Sequence, residues 1–328
     1  MATEGAPRVS VVVPVRDRRL LLMKLLDALD AQTFTDFEVI VVDDGSGDGG
    51  GSAAAQRHVA GRPVRAIPAA GIGAVPARRL GVANSSAAVL AFTDSDCAPS
   101  PGWLAAGVEA IESGADVVNG PTRPDRPPGP LERSVSSGEE GLYPTCNVFY
   151  RRSAYDAASG FDPHAGRELG FRVNRRARGL GFGEDTILAW RVRRSGGQAV
   201  FSPRAVVLHH VFEANLAESV SRCWMAAAFP ALLREVPELR PTMLRHGVLF
   251  GARSRVPTYA VALALVLRRR RLGLLATAWW VWSRLQDLRR QPASWPRRLS
   301  ALPQEMALDT VTAAALVAGS ARARTLAL

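Results

Sequence analysis

Two carboxylates one residue apart, Asp94 and Asp96, close the apolar run "AVLAFTDSD" (88–96). A second acidic pair, Asp43-Asp44, closes "FEVIVVDDGS" (37–46), and a third, Glu184-Asp185, opens "EDTILAWRVRR". His209 ends the apolar stretch "AVVLHH". Carboxylate oxygens and an imidazole nitrogen suit Mg2+ or Mn2+, and such a cation can neutralise a departing diphosphate. Taken singly, each feature has a plainer use. Acids after a strand form solvated turns, acids in a first helical turn complement the helix dipole, and a histidine in an apolar strand serves as a satisfied core residue. Their joint meaning depends on whether the chain brings them to one place.

The flanking sequence predicts that it does. "VSVVVPV" (9–15) is a continuous β-branched run, the mark of a strand buried on both faces. "RRLLLMKLLDALDAQ" (18–32) has apolar residues at helical spacing, with Asp17 as the expected N-cap. The strand at 37–46 follows, which makes a βαβ unit with parallel strands. A helix near 52–60, a short strand "VRAIP" (64–68), a helix at 74–86 and the strand 88–96 continue the pattern. In such open sheets, ligands sit beyond the carboxyl ends of the strands, where both "DDGS" and "DSD" are expected. Further on come a helix over 99–113, a strand at 115–121 and a Pro-rich surface loop at 122–132. A strand and short helix (145–162), a helix (183–196) with acids first and Arg last, and two short strands (198–210) complete this part. The Arg-rich stretch 166–179 reads as a solvated loop or as a lid over a diphosphate or an anionic acceptor.

The 328 residues suffice for one large or two modest domains. Cys97, Cys146 and Cys223 have no paired spacing, which argues against a zinc site or a disulfide framework and fits a reducing, cytosolic setting. The N-terminus lacks a charged-then-apolar leader pattern. The net charge is +11, and all of it is C-terminal: residues 1–244 hold 27 basic and 27 acidic side chains, whereas 245–328 hold 14 Arg against Asp287, Glu305 and Asp309. The near absence of Lys fits a GC-rich genome, so the position of the Arg excess says more than its amount. After 215 the pattern turns helical. Two apolar runs, 256–267 and 272–282, flank "RRRR" (268–271), and each is shorter than a bilayer span. With Trp279, Trp280 and Trp282 they fit either a helical subdomain with outward Arg or a hairpin lying at a membrane interface. No nucleic-acid-binding pattern is present.

Four segments in order, "VSVVVPVRDR", "QTFTDFEVIVVDDGS", "ARRLGVANSSAAVLAFTDSD" and "GFGEDTILAWRVRRSG", together with "NVFYRRSAYDAASGFD" between the last two, resemble a family 2 glycosyltransferase of GT-A fold. The resemblance covers roughly residues 8–215. It implies an α/β fold with a mostly parallel nucleotide-binding sheet. It implies that Pro14, Arg16 and Asp44 hold the nucleoside, with Asp44 near the base. Asp94 and Asp96 then form the DxD motif that binds Mg2+ or Mn2+ and the donor diphosphate, with Ser95 between them. His209 completes the metal shell, with His210 as its alternate. Glu184-Asp185 is the ED motif, with Asp185 the catalytic base, and Arg78 matches a family arginine. Arg79 stands where the family usually has Asn, and Cys97 reads as a packing residue.

The expectation is a metal-dependent, inverting transferase that takes a sugar from a nucleotide-diphospho donor, UDP most of all, to an acceptor hydroxyl. Residues 1–215 form the catalytic domain, with a nucleotide-binding half (1–120) and an acceptor half (121–215), and 216–328 form a basic helical region. The acceptor is left open between a lipid-linked glycan, a cell-envelope glycan and a small molecule. The expected place is the bacterial cytoplasm, at the inner face of the membrane if the tail binds lipid. The competing readings are a sugar-nucleotide-binding protein without catalysis and a nucleotidyltransferase. The latter lacks a Gly-rich phosphate loop near the first strand.

Overall fold

The computed structural model describes residues 6–129, 132–165, 182–250, 255–289 and 295–328. These fall into two compact units, one built from the chain up to Phe212 apart from short stretches, the other mainly from Glu213–Leu328. The Arg-rich stretch 166–179 lies outside the described residues.

In the first unit the elements that concern the site are strands β1 (Val9–Val15), β2 (Phe37–Asp43), β3 (Arg65–Pro68), β4 (Val89–Phe92), β5 (Cys97–Pro99), β6 (Val117–Asn119), β7 (Thr122–Pro124), β8 (Val148–Arg151), β9 (Ala199–Phe201) and β10 (Val207–His209). The helices are α1 (Arg19–Asp30), α2 (Gly50–Ala55), α3 (Ala74–Ala83), α4 (Trp103–Glu112), α5 (Arg152–Ala157) and α6 (Glu184–Arg194). The main sheet has seven strands in the order β9-β6-β8-β4-β1-β2-β3. Strands β4, β1, β2 and β3 run parallel. Strand β8 is antiparallel to both of its neighbours, and β9 is parallel to β6. A second sheet, β5-β10-β7, stands beside it.

The β-branched runs explain the sheet's interior. Val9, Val11, Val12 and Val13 of β1 and Ile40, Val41 and Val42 of β2 are fully buried, so both faces of these strands are covered. Leu22, Leu25, Leu26 and Leu29 form the buried stripe of α1, each contributing roughly 1.5–3 kcal/mol of burial. On α3, a Cβ at Gly81 would lie 2.4 Å from Cγ1 of Val12, so only glycine lets the helix approach β1 this closely. Arg78, three residues earlier on the same helix face, is thereby carried inward.

Several predicted boundaries moved. The strand expected over 88–96 stops at Phe92, which leaves Asp94, Ser95 and Asp96 in the turn before β5. The two carboxylates there pair with Arg78 and Arg18 instead of joining a ladder. Asp17 does not cap α1. The cap position is Arg18, without a side-chain bond, and Asp17 has φ 51°. The carboxylate of Asp17 accepts from the Gly47 N–H at 2.7 Å, tying the end of β1 to the loop after β2. The Pro-rich segment is not wholly a loop, because Thr122–Pro124 adds a strand beside β10.

In the second unit, helices α7 (Leu216–Trp224), α8 (Phe229–Glu235), α9 (Arg255–Val266), α10 (Arg270–Arg289) and α11 (Trp295–Ala323) dominate. Asn215 caps α7 by accepting from the Glu218 N–H at 2.9 Å. A buried polar cluster ties α10 to α11. Asp309 accepts from Trp280 Nε1 at 2.9 Å and from Arg284 Nη2 at 2.6 Å, and Glu305 lies 3.5 Å from Arg284. Among the described residues, no helix is long and apolar enough to cross a membrane.

Candidate active site

The carboxyl ends of β1, β2 and β4 lie at one rim because those strands are parallel and in register: Val15 pairs with Asp43, and Val12 with Phe92. The chain turns there carrying Arg16-Asp17-Arg18, Asp44 and the Asp94-Ser95-Asp96 turn. The second sheet supplies the histidine. Antiparallel pairing of β10 with β5 sets His209 opposite Cys97, and the His210 N–H donates to the Asp96 carbonyl at 2.9 Å.

Asp96 is 6 % exposed and His209 5 %. Nε2 of His209 stands 3.7 Å from Oδ1 of Asp96. Nδ1 of His209 lies 2.8 Å from the His210 carbonyl, an oxygen that can only accept, so Nδ1 carries the proton and Nε2 offers its lone pair toward Asp96. Ser134 Oγ lies 3.1 Å from the same Nδ1 and donates to the His209 carbonyl at 3.0 Å. An imidazole oriented by a backbone carbonyl, facing a carboxylate beyond hydrogen-bond range, has the chemistry of a divalent-cation site. Asp96, Cys97 and His209 together present three ligand atoms within 4.8 Å of one another. The Cys97 thiol is a poor member of that set. Its contact with Cys146, and then burial, raise its pKa well above the ordinary thiol value, so it stays protonated and packs. The oxygen and nitrogen that remain fit Mn2+ or Mg2+.

Asp94 faces a different partner. Its Oδ1 accepts from Nη2 of Arg78 at 2.5 Å. Asp96, through its other oxygen, is paired with Arg18, whose guanidinium also lies over the Phe212 ring at 5.0 Å. Each acid of the "DSD" turn therefore has its own arginine. Ser95 is buried between them.

Arg78 links the two acidic motifs. It is 5 % exposed. Burial would lower its pKa, but Asp94, Glu184 and Asp185 together raise it. A buried guanidinium is tolerated only with such compensation. Its Nε, the Thr93 hydroxyl and the Tyr150 hydroxyl are buried without a hydrogen-bond partner, so polar valences remain unused in the neighbourhood of these acids.

Glu184 and Asp185 begin α6, where Gly183 at φ 75° supplies the left-handed entry. Asp185 accepts from the Thr186 N–H at 2.7 Å and from the Thr145 N–H at 3.3 Å. The helix N-terminus favours the ionised form of Asp185. Burial instead pushes its pKa up, against the opposing pull of those amides and Arg78. Burial, and then the neighbouring Asp185, push Glu184 up to about 7.

Asp44 is used by the backbone. Its two oxygens accept from the Ile72 N–H (2.6 Å) and the Gly73 N–H (2.9 Å), which fixes the turn that opens α3. Pro14 is part-buried in β1. Arg16 is exposed, 3.9 Å from Asp17. Arg79 donates to the Phe161 carbonyl at 2.6 Å, a structural use for the residue in the Asn position. His210 pairs with Asp125 at 2.8 Å rather than with Asp96. Sequence reasoning passed over Arg18, Ser134 and Thr145. Their partners are 40 to 78 residues away in the chain, so no local spacing marks them.

Residues 10–166 match the sequence model described as Glycosyl transferase family 2. The chain is 32% identical over 177 residues to glycosyltransferase AglE of Haloferax volcanii, covering 49% of this chain and 58% of that protein. It is 26% identical over 279 residues to the pre-mycofactocin glycosyltransferase of Mycobacterium tuberculosis, covering 74% and 51% respectively. The chain thus spans about half the length of the curated relatives it matches. Among solved structures, the mannosyltransferase PcManGT from Pyrobaculum calidifontis, in complex with GDP-Man and Mn2+, aligns with a TM-score of 0.58 at 19% identity, over 98% of this chain and 88% of that one. TarS 1-349 of S. aureus in complex with UDP-GlcNAc aligns with a TM-score of 0.50 at 16% identity, over 97% and 92%. These likenesses establish the fold.

Proposed function

We propose that the chain, whose residues 10–166 match the model of Glycosyl transferase family 2, acts as a member of that family and moves a sugar from a nucleotide-diphospho donor to an acceptor hydroxyl with inversion. The observation that carries this reading is the gathering of Asp94, Glu184 and Asp185 around the buried Arg78, with Asp96, on the same turn as Asp94, facing His209 of β10. A bare nucleotide-binding protein needs no second acidic motif held beside the first.

Asp185 is the general base. Its carboxylate, oriented by the Thr145 and Thr186 amides, takes the proton of the acceptor hydroxyl as that oxygen attacks the anomeric carbon. The nucleoside diphosphate departs from the opposite face, which inverts the centre. Glu184 tunes the charge on Asp185 from the adjacent position. Asp96 and His209, with Asp94, are the residues that would hold Mn2+ or Mg2+, which would supply charge neutralisation for the leaving diphosphate. Arg78 pairs with Asp94 and limits repulsion between the two acidic motifs. Pro14, Arg16, Asp44 and Ser95 form the nucleoside and diphosphate side of the site, Asp44 through the turn it fixes.

UDP is the preferred nucleotide. PcManGT carries GDP-Man and TarS carries UDP-GlcNAc in their solved complexes, so the donor class spans both nucleotides within this fold. The catalytic part is assigned to residues 1–215 and the basic helical part to 216–328, which we place at the inner face of the cell membrane, near a lipid-linked or envelope acceptor. A thermal-shift screen of UDP-, GDP- and dTDP-sugars with and without Mn2+ tests the donor reading. One nucleotide class should raise the melting temperature, and more so with Mn2+. Absence of a shift with every donor would contradict it.

A further inference from the structure

Helices α9 and α10 form a hairpin. They are joined at residues 267–269, where Arg268 adopts φ 54° to reverse the chain. One side of this hairpin is spoken for. Ala264, Ala276 and Trp280 are buried, and Trp280 and Arg284 bind Asp309 of α11. Among the described residues, the other side is not. Leu265, Val266, Leu267, Leu274, Leu275 and Trp282 are 56–77 % exposed. An exposed apolar cluster of this size on a short hairpin marks a contact surface.

The charge around it is one-sided. Arg268, Arg269, Arg270 and Arg271 are all exposed at the bend, and no acidic residue occurs between Glu238 and Asp287. Two copies meeting through this face would bring eight guanidinium groups together, with Asp287 at the far end of α10 the one carboxylate of the hairpin. An anionic lipid surface supplies both needs, acyl chains for the leucines and phosphates for the arginines. Trp282 and the half-exposed Trp279 suit the headgroup boundary.

We propose that the α9–α10 hairpin lies flat in the interface of an anionic bilayer, with its leucines in the acyl boundary and Arg268–Arg271 at the phosphates. Entry bend-first is disfavoured, because it would carry four arginines deepest into hydrocarbon. Neither helix is long and apolar enough to span. The membrane placement given above is the reading this rests on, and it names the surface and lipid class. The transfer chemistry does not depend on it.

Flotation of the full chain with vesicles tests the proposal. Vesicles of phosphatidylcholine alone are compared with equal parts phosphatidylcholine and phosphatidylglycerol. Recovery with the anionic vesicles should be about tenfold or more higher and should fall as salt is raised. The L265S/L274S variant should lose flotation. The R269Q/R270Q variant should lose the preference for phosphatidylglycerol. Both variants should keep the wild-type thermal melt, since all four side chains are exposed. Wild-type protein that stays unbound with both vesicles, or floats equally with both, overturns the proposal, as do variants that float like wild type. A wild-type dimer in light scattering that L265S/L274S converts to monomer, without vesicle binding, would assign the face to a second copy and overturn it too. Flotation reads no sugar transfer, so its failure and that of the donor screen are separate results.

Discussion

Nε2 of His209 faces Oδ1 of Asp96 across 3.7 Å, while Nδ1 of the same ring is committed to the His210 carbonyl at 2.8 Å. The gap is too wide for a hydrogen bond and suits two ligands of one cation. The other Asp96 oxygen is paired with Arg18. His209→Ala should therefore weaken Mn2+ binding by about 100-fold or more, measured by electron paramagnetic resonance of free Mn2+ without donor. Arg18→Ala should strengthen bare-metal binding, because Asp96 loses a competing cation. Unchanged Mn2+ affinity in His209→Ala would remove this pair as the metal site.

Arg78 is the shared counter-ion of Asp94, Glu184 and Asp185. Arg78→Met keeps the bulk and removes the charge, which leaves those acids buried or half-buried without it. The expected loss is about 3–5 kcal/mol, read from the urea midpoint at neutral pH. Adding Asp94→Asn should recover part of that loss. A variant as stable as wild type would mean that the three acids find compensation elsewhere.

Glu184 carries a pH signature. Its pKa rises from 4.5 to about 7 on folding, so between those values the native state binds more protons than the unfolded chain. Stability from this group is then full below about 4.5 and is lost as pH rises through about 7. Glu184→Gln should remove that loss. Its melting temperature should approach or exceed wild type above neutrality and show no such gain in acid. The two carboxylates titrate as a pair, so the acid limb of kcat/KM should move to lower pH in Glu184→Gln. An identical pH dependence of melting in wild type and variant would contradict the buried-acid picture.

The sheet was legible because its signal is local. Val9–Val15 and Phe37–Asp43 are β-branched runs whose burial on both faces dictates their composition. The strand ending at Phe92 was overextended because "TDSD" continues no ladder, and that shows only once Arg78 and Arg18 are seen to hold its acids. Asp17 looked like a cap by position but serves the Gly47 amide, a contact between two loops at the ends of neighbouring strands. The acids and His209 could be named from residue type and order. Their counter-ions could not, because Arg18 and Ser134 meet partners 78 and 75 residues away. The effect of burial on Asp185 was likewise hidden, since helix position is local and desolvation is not.

The most direct test compares donor turnover by wild type and Asp185→Asn, with Mn2+ and a donor identified by thermal shift. Wild type should release the nucleoside diphosphate only with the divalent metal present. Asp185→Asn should bind the donor comparably and lose about 10²–10⁴-fold in kcat. Metal-independent turnover, no turnover of any bound donor by wild type, or full activity in Asp185→Asn would contradict the account.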